Sequence, residues 1–395
     1  MWRFDDFVLD THRYELRRGD AVIRVEPQVF DVLTQLVRNH DRFVTKEELF
    51  DSVWGGRFVG EAALTSRIKA ARRALGDDGE SQRYIRTVRG RGYQFVGTIA
   101  ADTPSPVVEP PPEAPAPRQH IAFCRAADGV RLAYAVAGEG PPLVRAANWM
   151  THLGYDIESP VWRHWVRDLS LNHTFIRYDE RGCGLSDWDA SDFSFEDWVA
   201  DLESVVEALG LERFPLLGVS QGGAVAVAYA ARHPDLVSKL VLCSAYARGR
   251  AVRAVGDEEK RAAALDLELA RVGWGRDDPA FRQVFAAQFR PDGTRADWAA
   301  FDQLQRRTTS PKNAVRFLEE FARIDVRDQA RDVRCPALIM HSRDDHRVPM
   351  RFGDELAALI PGSQLVALSS NNHLLTATEP AWQVFLDELN TFLAT

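Results

Sequence analysis

Residues 214–234 read FPLLGVSQGGAVAVAYAARHP. The apolar run from Phe214 ends on Gly218-Val219-Ser220-Gln221-Gly222, and small apolar residues follow at helical spacing. The pattern predicts a buried strand, a sharp turn and a helix. A serine at the tip of such a turn needs glycine two residues to either side, because the strand and helix backbones pass too close for Cβ atoms. That setting makes Ser220 a candidate nucleophile. Outside it, small residues at the same spacing would mark close packing alone.

Working outward, PPLVRAA (141–147), HTFIRYD (173–179), KLVLCSA (239–245), CPALIMHS (335–342) and SQLVALSS (363–370) read as further buried strands. They alternate with helical patterns, which predicts an α/β domain with a mostly parallel sheet covered on both faces. A helical, aromatic-rich stretch at about 246–330 interrupts the alternation and reads as an inserted cap. Of its Trp274, Phe281, Phe285, Phe289, Trp298 and Phe301, most are expected in the core. The others would line an apolar cleft above Ser220, suited to a small hydrophobic or aromatic metabolite.

Serine is a poor nucleophile at neutral pH and needs a base that is itself oriented by an acid. Downstream, the strand CPALIMHS runs into the polar loop RDDHRVP, and LVALSSNNHLL ends a last strand on a histidine. The order Ser, Asp, His on these elements resembles the α/β-hydrolase family. Asp345, three residues before Val348-Pro349, matches the family's acid, with Asp344 as the alternative, and His373 matches its base. YDERGCGLS carries the family's RGxGxS loop and TEPAW precedes the closing helix, so the resemblance covers nearly all of residues 120–395. It implies an oxyanion hole made by the amides of Gln221 and Trp149. There is one departure, because the usual His-Gly is replaced by Ala147-Asn148-Trp149-Met150. A hole that loses one donor typically loses roughly 10² to 10³ in turnover, so a slow enzyme or a pure binder is expected.

Ahead of this region, ADTPSPVVEPPPEAPAPRQ (101–119) is an extended, semi-rigid spacer by composition. It separates residues 1–100 from 120–395. The first segment reads as a small sheet (FVLDTHRYEL, AVIRVE), three helices (27–40, 45–54, 60–77) and a hairpin, YIRTVRGRGYQFV. On the third helix Leu64, Ile68, Ala71 and Leu75 share one face, while Ser66, Lys69, Ala70 and Arg73 take the other, with Arg67 and Arg72 on its flanks. Residues 57–100 carry nine Lys/Arg against four acids. A charged helix face is often merely solvated, but an arginine-rich hairpin tip beside it suits a phosphate backbone or minor groove. These marks resemble the winged-helix effector domain of the OmpR/PhoB response-regulator family. The resemblance implies DNA contacts by Ser66, Arg67, Lys69, Ala70 and Arg73 on the helix and by Thr87, Arg89 and Arg91 on the wing. That family usually carries a receiver domain before this module, and phosphorelay control is not expected here.

The chain as a whole has a formal net charge of −8, so affinity for nucleic acid must come from that local basic face. Its 45% hydrophobic and 27% charged residues are those of a globular protein. Four scattered cysteines fit neither a metal pattern nor a disulfide framework, and no leader or spanning segment is evident. The expectation is a cytoplasmic, one-component, homodimeric regulator that binds double-stranded promoter DNA, with no metal, cofactor or membrane partner. Its hydrolase-fold domain would bind the effector, and its triad would support cleavage of an ester, lactone or amide. A non-catalytic sensor and a metabolic serine esterase with an accessory DNA-binding module are the alternatives.

Overall fold

A computed structural model describes the chain except residues 1, 11–14, 20, 55–60, 89, 100–116, 192, 275, 277–278, 292 and 395. It divides into two units, Met1–Glu113 and Ala114–Thr395. Most of the expected spacer lies outside the described residues. Gln119, read as its last residue, already opens a strand.

In the first unit β1 (Trp2–Phe4), β2 (Phe7–Asp10), β3 (Glu15–Arg18) and β4 (Ala21–Ile23) form an antiparallel sheet in sequential order. Helices α1 (Pro27–Arg38), α2 (Lys46–Trp54) and α3 (Glu61–Ala74) follow. Proline suits the first turn of α1, where its missing N–H costs nothing. A reciprocal pair starts α2: the Glu48 amide donates to Thr45 Oγ1 (3.1 Å) and the Thr45 amide to Glu48 Oε2 (2.8 Å). Leu64, Ile68, Ala71 and Leu75 are all buried, against Leu33 and Leu36 of α1 and the aromatic cluster of Phe4, Phe7, Tyr84 and Phe95. The closing hairpin is β6 (Ile85–Val88) and β7 (Gly92–Phe95); the two-residue strand β5 (Val44–Thr45) pairs with β7, a feature too short to carry a period.

The angle between α3 and this hairpin is set by two side chains. Asp77, just past α3, accepts the amides of Arg83 (2.8 Å), Tyr84 (3.0 Å) and Ile85 (3.0 Å). The Arg72 guanidinium donates to the Ile85 carbonyl (2.7 Å) and to Thr87 Oγ1 (2.9 Å).

In the second unit eight strands stand in the order β15-β14-β13-β12-β10-β11-β9-β8, numbered along the chain after the three of the closing sheet: β8 (Gln119–Arg125), β9 (Arg131–Ala137), β10 (Pro142–Arg145), β11 (Thr174–Tyr178), β12 (Phe214–Val219), β13 (Val237–Cys243), β14 (Ala337–Ser342) and β15 (Gln364–Leu368). The six from β10 to β15 run parallel, and β8 and β9 add an antiparallel edge. That edge hairpin is not among the strands expected from the sequence, although Asp128-Gly129 supplies a turn whose glycine sits at φ 91°. Leu216, Leu217, Leu240, Val241, Leu338 and Ile339 are fully buried, as strands covered on both faces must be. Between β13 and β14 run the helices Arg250–Arg253, Gly256–Gly273, Pro279–Phe289, Arg295–Thr308 and Pro311–Arg323. From β10 the chain goes out to β11 on one side and returns to β12 on the other, so a crevice opens at the carboxyl ends of β10 and β12. Among the described residues no helix is long and apolar enough to cross a membrane.

Asp77 gives a direct test of how the first unit is held. Burial pushes its carboxyl up, but the amides of Ile85, Tyr84, Arg83 and Asp78 outweigh it and hold the group below the usual carboxylate range. Its contribution is therefore complete above that range and is lost as pH falls through the depressed value. Asp77→Ala leaves buried amides unpaired and should destabilise the first unit by about 3 kcal/mol. Urea denaturation of the full chain, followed by a probe in the first unit, measures this. A loss under about 0.5 kcal/mol would show that the carboxylate does not brace the hairpin.

Candidate functional site

Ser220 stands between β12 and the helix Gln221–Arg232 with φ 52° and ψ −123°. Such a conformation in a non-glycine residue costs about 1–3 kcal/mol and persists only where its surroundings enforce it. A Cβ on Gly218 would lie 2.6 Å from the Gly223 Cα, and one on Gly222 would lie 2.5 Å from the Ala147 carbonyl oxygen. The Ser220 amide donates to the Cys243 carbonyl (2.9 Å), which ties the turn to the neighbouring strand.

The two expected partners meet it there. His373 Nε2 is 2.8 Å from Ser220 Oγ, and His373 Nδ1 is 2.7 Å from Asp345 Oδ2. The other oxygen of Asp345 accepts the amides of Arg347 (2.8 Å) and Val348 (2.9 Å). Burial pushes the Asp345 carboxyl up, but the adjoining His373 ring and the Val348 amide prevail and hold it below the usual range. Asp344, the alternative acid, is exposed. His341 Nε2 faces the Val348 carbonyl at 2.7 Å, and burial pushes its pKa down. The His373 amide donates to the Phe289 carbonyl (3.0 Å), so the helix Pro279–Phe289 anchors the histidine loop.

The expected oxyanion donors are placed less simply. Gln221 opens a helix, so its amide is one of the first-turn N–H groups that the helix cannot satisfy itself. The Trp149 amide instead donates to the Gln221 side-chain oxygen (3.2 Å). Gln221 Nε2 in turn donates to Glu180 Oε1 (2.8 Å). Burial pushes the Glu180 carboxyl up to about 8, which favours its protonated form at neutral pH. The Trp149 indole is stacked on Trp274 with centroids 5.0 Å apart and crossed by Phe321 at 5.7 Å. Glu180 was within sequence reach only as part of the YDERGCGLS loop; nothing in that string marks it as the support of Gln221.

Ser220 opens into a cavity of about 600 Å³. Trp149, Phe289, Leu318 and Phe321 give it an apolar wall, as the aromatic cap suggested. The rest is not apolar: Arg250, Arg253, Lys260 and Arg347 line it too, which corrects the expectation of an apolar cleft. The aromatic spacing identified the packed faces of the cap helices but not which face turned inward. Phe281, Phe285 and Phe301 are core. Among the described residues no cluster of His, Cys, Asp and Glu could hold a metal ion.

On the first unit Ser66, Lys69 and Arg73 are exposed on α3, and Arg91 is exposed on the hairpin beside Gly90. Arg67 is paired with Glu26 and Ala70 packs against the core, so neither is as open as the helical spacing implied. Thr87 accepts from Arg72. Arg89 lies outside the described residues.

Comparison with known proteins follows this division. Residues 153–380 match the alpha/beta hydrolase fold family, and residues 20–95 match the family described as transcriptional regulatory protein, C terminal. Pyrrolizixenacetamide deacetylase of Xenorhabdus hominickii is 28% identical over 269 residues, 67% of this chain and 94% of that protein. Transcriptional regulator HilA of Salmonella typhi is 39% identical over 117 residues, 30% of this chain but only 19% of that protein. The structure of esterase RhEst1 from Rhodococcus sp. ECU1013 is 26% identical with a TM-score of 0.56, covering 70% of this chain and 98% of that one. The chain therefore belongs to the alpha/beta hydrolase fold family, and it carries ahead of that domain a winged-helix DNA-binding domain of a transcriptional regulator.

Proposed function

We propose that this protein is a one-component regulator whose winged helix binds promoter DNA and whose hydrolase domain binds a small molecule and cleaves its ester, lactone or amide bond. The observation that carries the chemical half is the unbroken path Ser220 Oγ, His373, Asp345 at the mouth of a cavity. His373 takes the Ser220 proton as Oγ attacks the carbonyl carbon, and Asp345 fixes the ring and offsets the charge that it gains. The Gln221 amide receives the developing oxyanion. His373 then returns the proton to the leaving oxygen or nitrogen, and water repeats the sequence on the acyl-enzyme. The protein acts in the cytoplasm on this reading, as a dimer on paired half-sites.

One observation favours slow turnover or ligand retention. The Trp149 amide already donates to the Gln221 carboxamide oxygen, so a reacting oxygen has to displace that acceptor to gain the donor. Under that second reading the cleft is a sensor, and occupancy rather than cleavage sets the DNA affinity.

Labelling with a fluorophosphonate separates the two readings. The wild-type chain should be labelled, and Ser220→Ala should lose both the label and at least about 10³-fold of its turnover on p-nitrophenyl esters. Turnover unchanged in that variant would remove Ser220 from the chemistry. For the first domain, Lys69→Ala and Arg73→Ala should each weaken promoter binding and reduce the slope of log affinity against log salt by about one. An unaltered slope in both, measured by fluorescence anisotropy, would place the DNA elsewhere.

A further inference from the structure

Six cationic side chains line the cavity against two carboxylates, Asp266 and Glu319. Glu319 is paired with Arg271 at 2.6 Å, which leaves Asp266 for an inner group of three arginines. The Asp266 carboxylate meets both Arg250 and Arg347. Arg347 also donates to the neutral Gln288 side-chain oxygen (2.6 Å). Arg253 bonds to no carboxylate among the described residues. It donates to the Arg347 carbonyl (3.2 Å) and lies 4.4 Å from the Phe352 ring centroid. Its Nη1 is buried without a hydrogen-bond partner among those residues. Three partly buried guanidiniums thus share one carboxylate, and charge of one sign withdrawn from water is costly until it is paired. Burial pushes all three pKa values down, and Arg250 is pushed further by Arg347 and Arg253.

We infer that Arg250, Arg253 and Arg347 form an oxyanion subsite, which holds a carboxylate or phosphate group on the molecule whose acyl carbon Ser220 attacks. The inference rests on the reading of Ser220 as nucleophile and names its substrate class: a negatively charged ester, lactone or amide. Planar guanidinium forks suit such groups because they can bind two oxygens at once. Arg347 joins the subsite to the chemistry. Its amide braces Asp345 (2.8 Å), and its guanidinium lies 5.0 Å from the centroid of Phe289, whose ring meets that of His373 at 5.5 Å. The apolar wall takes the carbon skeleton and the arginines take the charge.

Two esters of equal acyl length provide the test: p-nitrophenyl pentanoate, which is neutral, and mono-p-nitrophenyl glutarate, which is anionic. The full-length protein should favour the glutarate in kcat/KM by about tenfold or more, a charged hydrogen bond's worth of selectivity. Arg253→Gln should bring that ratio near one, Arg253→Lys should keep part of it, and Arg253→Glu should invert it. A ratio, unlike a rate, does not move when a variant merely loses folded protein. A second arm needs no turnover: glutarate or inorganic phosphate should raise the melting temperature of the wild type more than neutral glutaramide does, and Arg253→Gln should abolish the difference. A response to glutarate alone assigns a carboxylate, and one to phosphate alone a phosphate ester; either supports the subsite. If neither ester is cleaved but the melting difference stands, the nucleophile reading fails and the subsite survives. No preference for anion over neutral compound in either arm overturns the subsite.

Discussion

The contact on which the hydrolase domain depends is the close passage of β12 and the helix that follows it. Two missing Cβ atoms, at Gly218 and Gly222, let the backbones approach far enough to hold Ser220 at φ 52°. That posture lifts the serine hydroxyl off the end of the sheet. The loops after β14 and β15 then bring Asp345 and His373 to it, because parallel strands all deliver their carboxyl ends to one edge. The strain persists only in a rigid frame, and the buried apolar residues of the strands on both sides of β12 supply one.

Around that frame the protein spends ionisable groups in unusual places. Glu180 is buried, its carboxyl pushed up by that burial; it supports Gln221 and through it occupies the Trp149 amide. Arg181 is buried between Asp201 (2.6 Å) and Asp128 (2.7 Å), which fixes the loop that carries Glu180. Asp179 accepts the Thr151 hydroxyl (2.9 Å) and the Leu153 amide (3.0 Å), and so fixes the segment just after Trp149. These pairs bear on position: the segment after Trp149 and the loop that braces the Gln221 side chain are held by charge and not by apolar packing alone. Where the charges do not balance, at Arg250, Arg253 and Arg347, the imbalance faces the cavity.

The winged helix solves a different problem with the same means. A reader of DNA must hold its helix and hairpin at a fixed angle while leaving cationic tips free. Asp77 and Arg72 fix the angle from the inside, and Lys69, Arg73 and Arg91 stay outside. Regulation by a ligand would require that the two domains' states be coupled, a free energy between sites and not a property of either site alone.

Local patterns determined a great deal. The GVSQG turn in its strand and helix setting located the tight bend that presents Ser220, because the steric demand for glycine is local. The order of Asp345 and His373 on later strands pointed to the side chains that meet Ser220, because the parallel sheet sends every strand end to one edge. The period of Leu64, Ile68, Ala71 and Leu75 identified the inner face of α3 for the same kind of reason. Other features came only with the folded chain. That Glu180 reaches Gln221 across 41 positions, that Arg67 is drawn off to Glu26, and that the cap turns arginines as well as aromatics toward Ser220 are long-range facts. Periodicity says which face of a helix is buried against something; only packing in three dimensions decides whether that something is core, cavity or water.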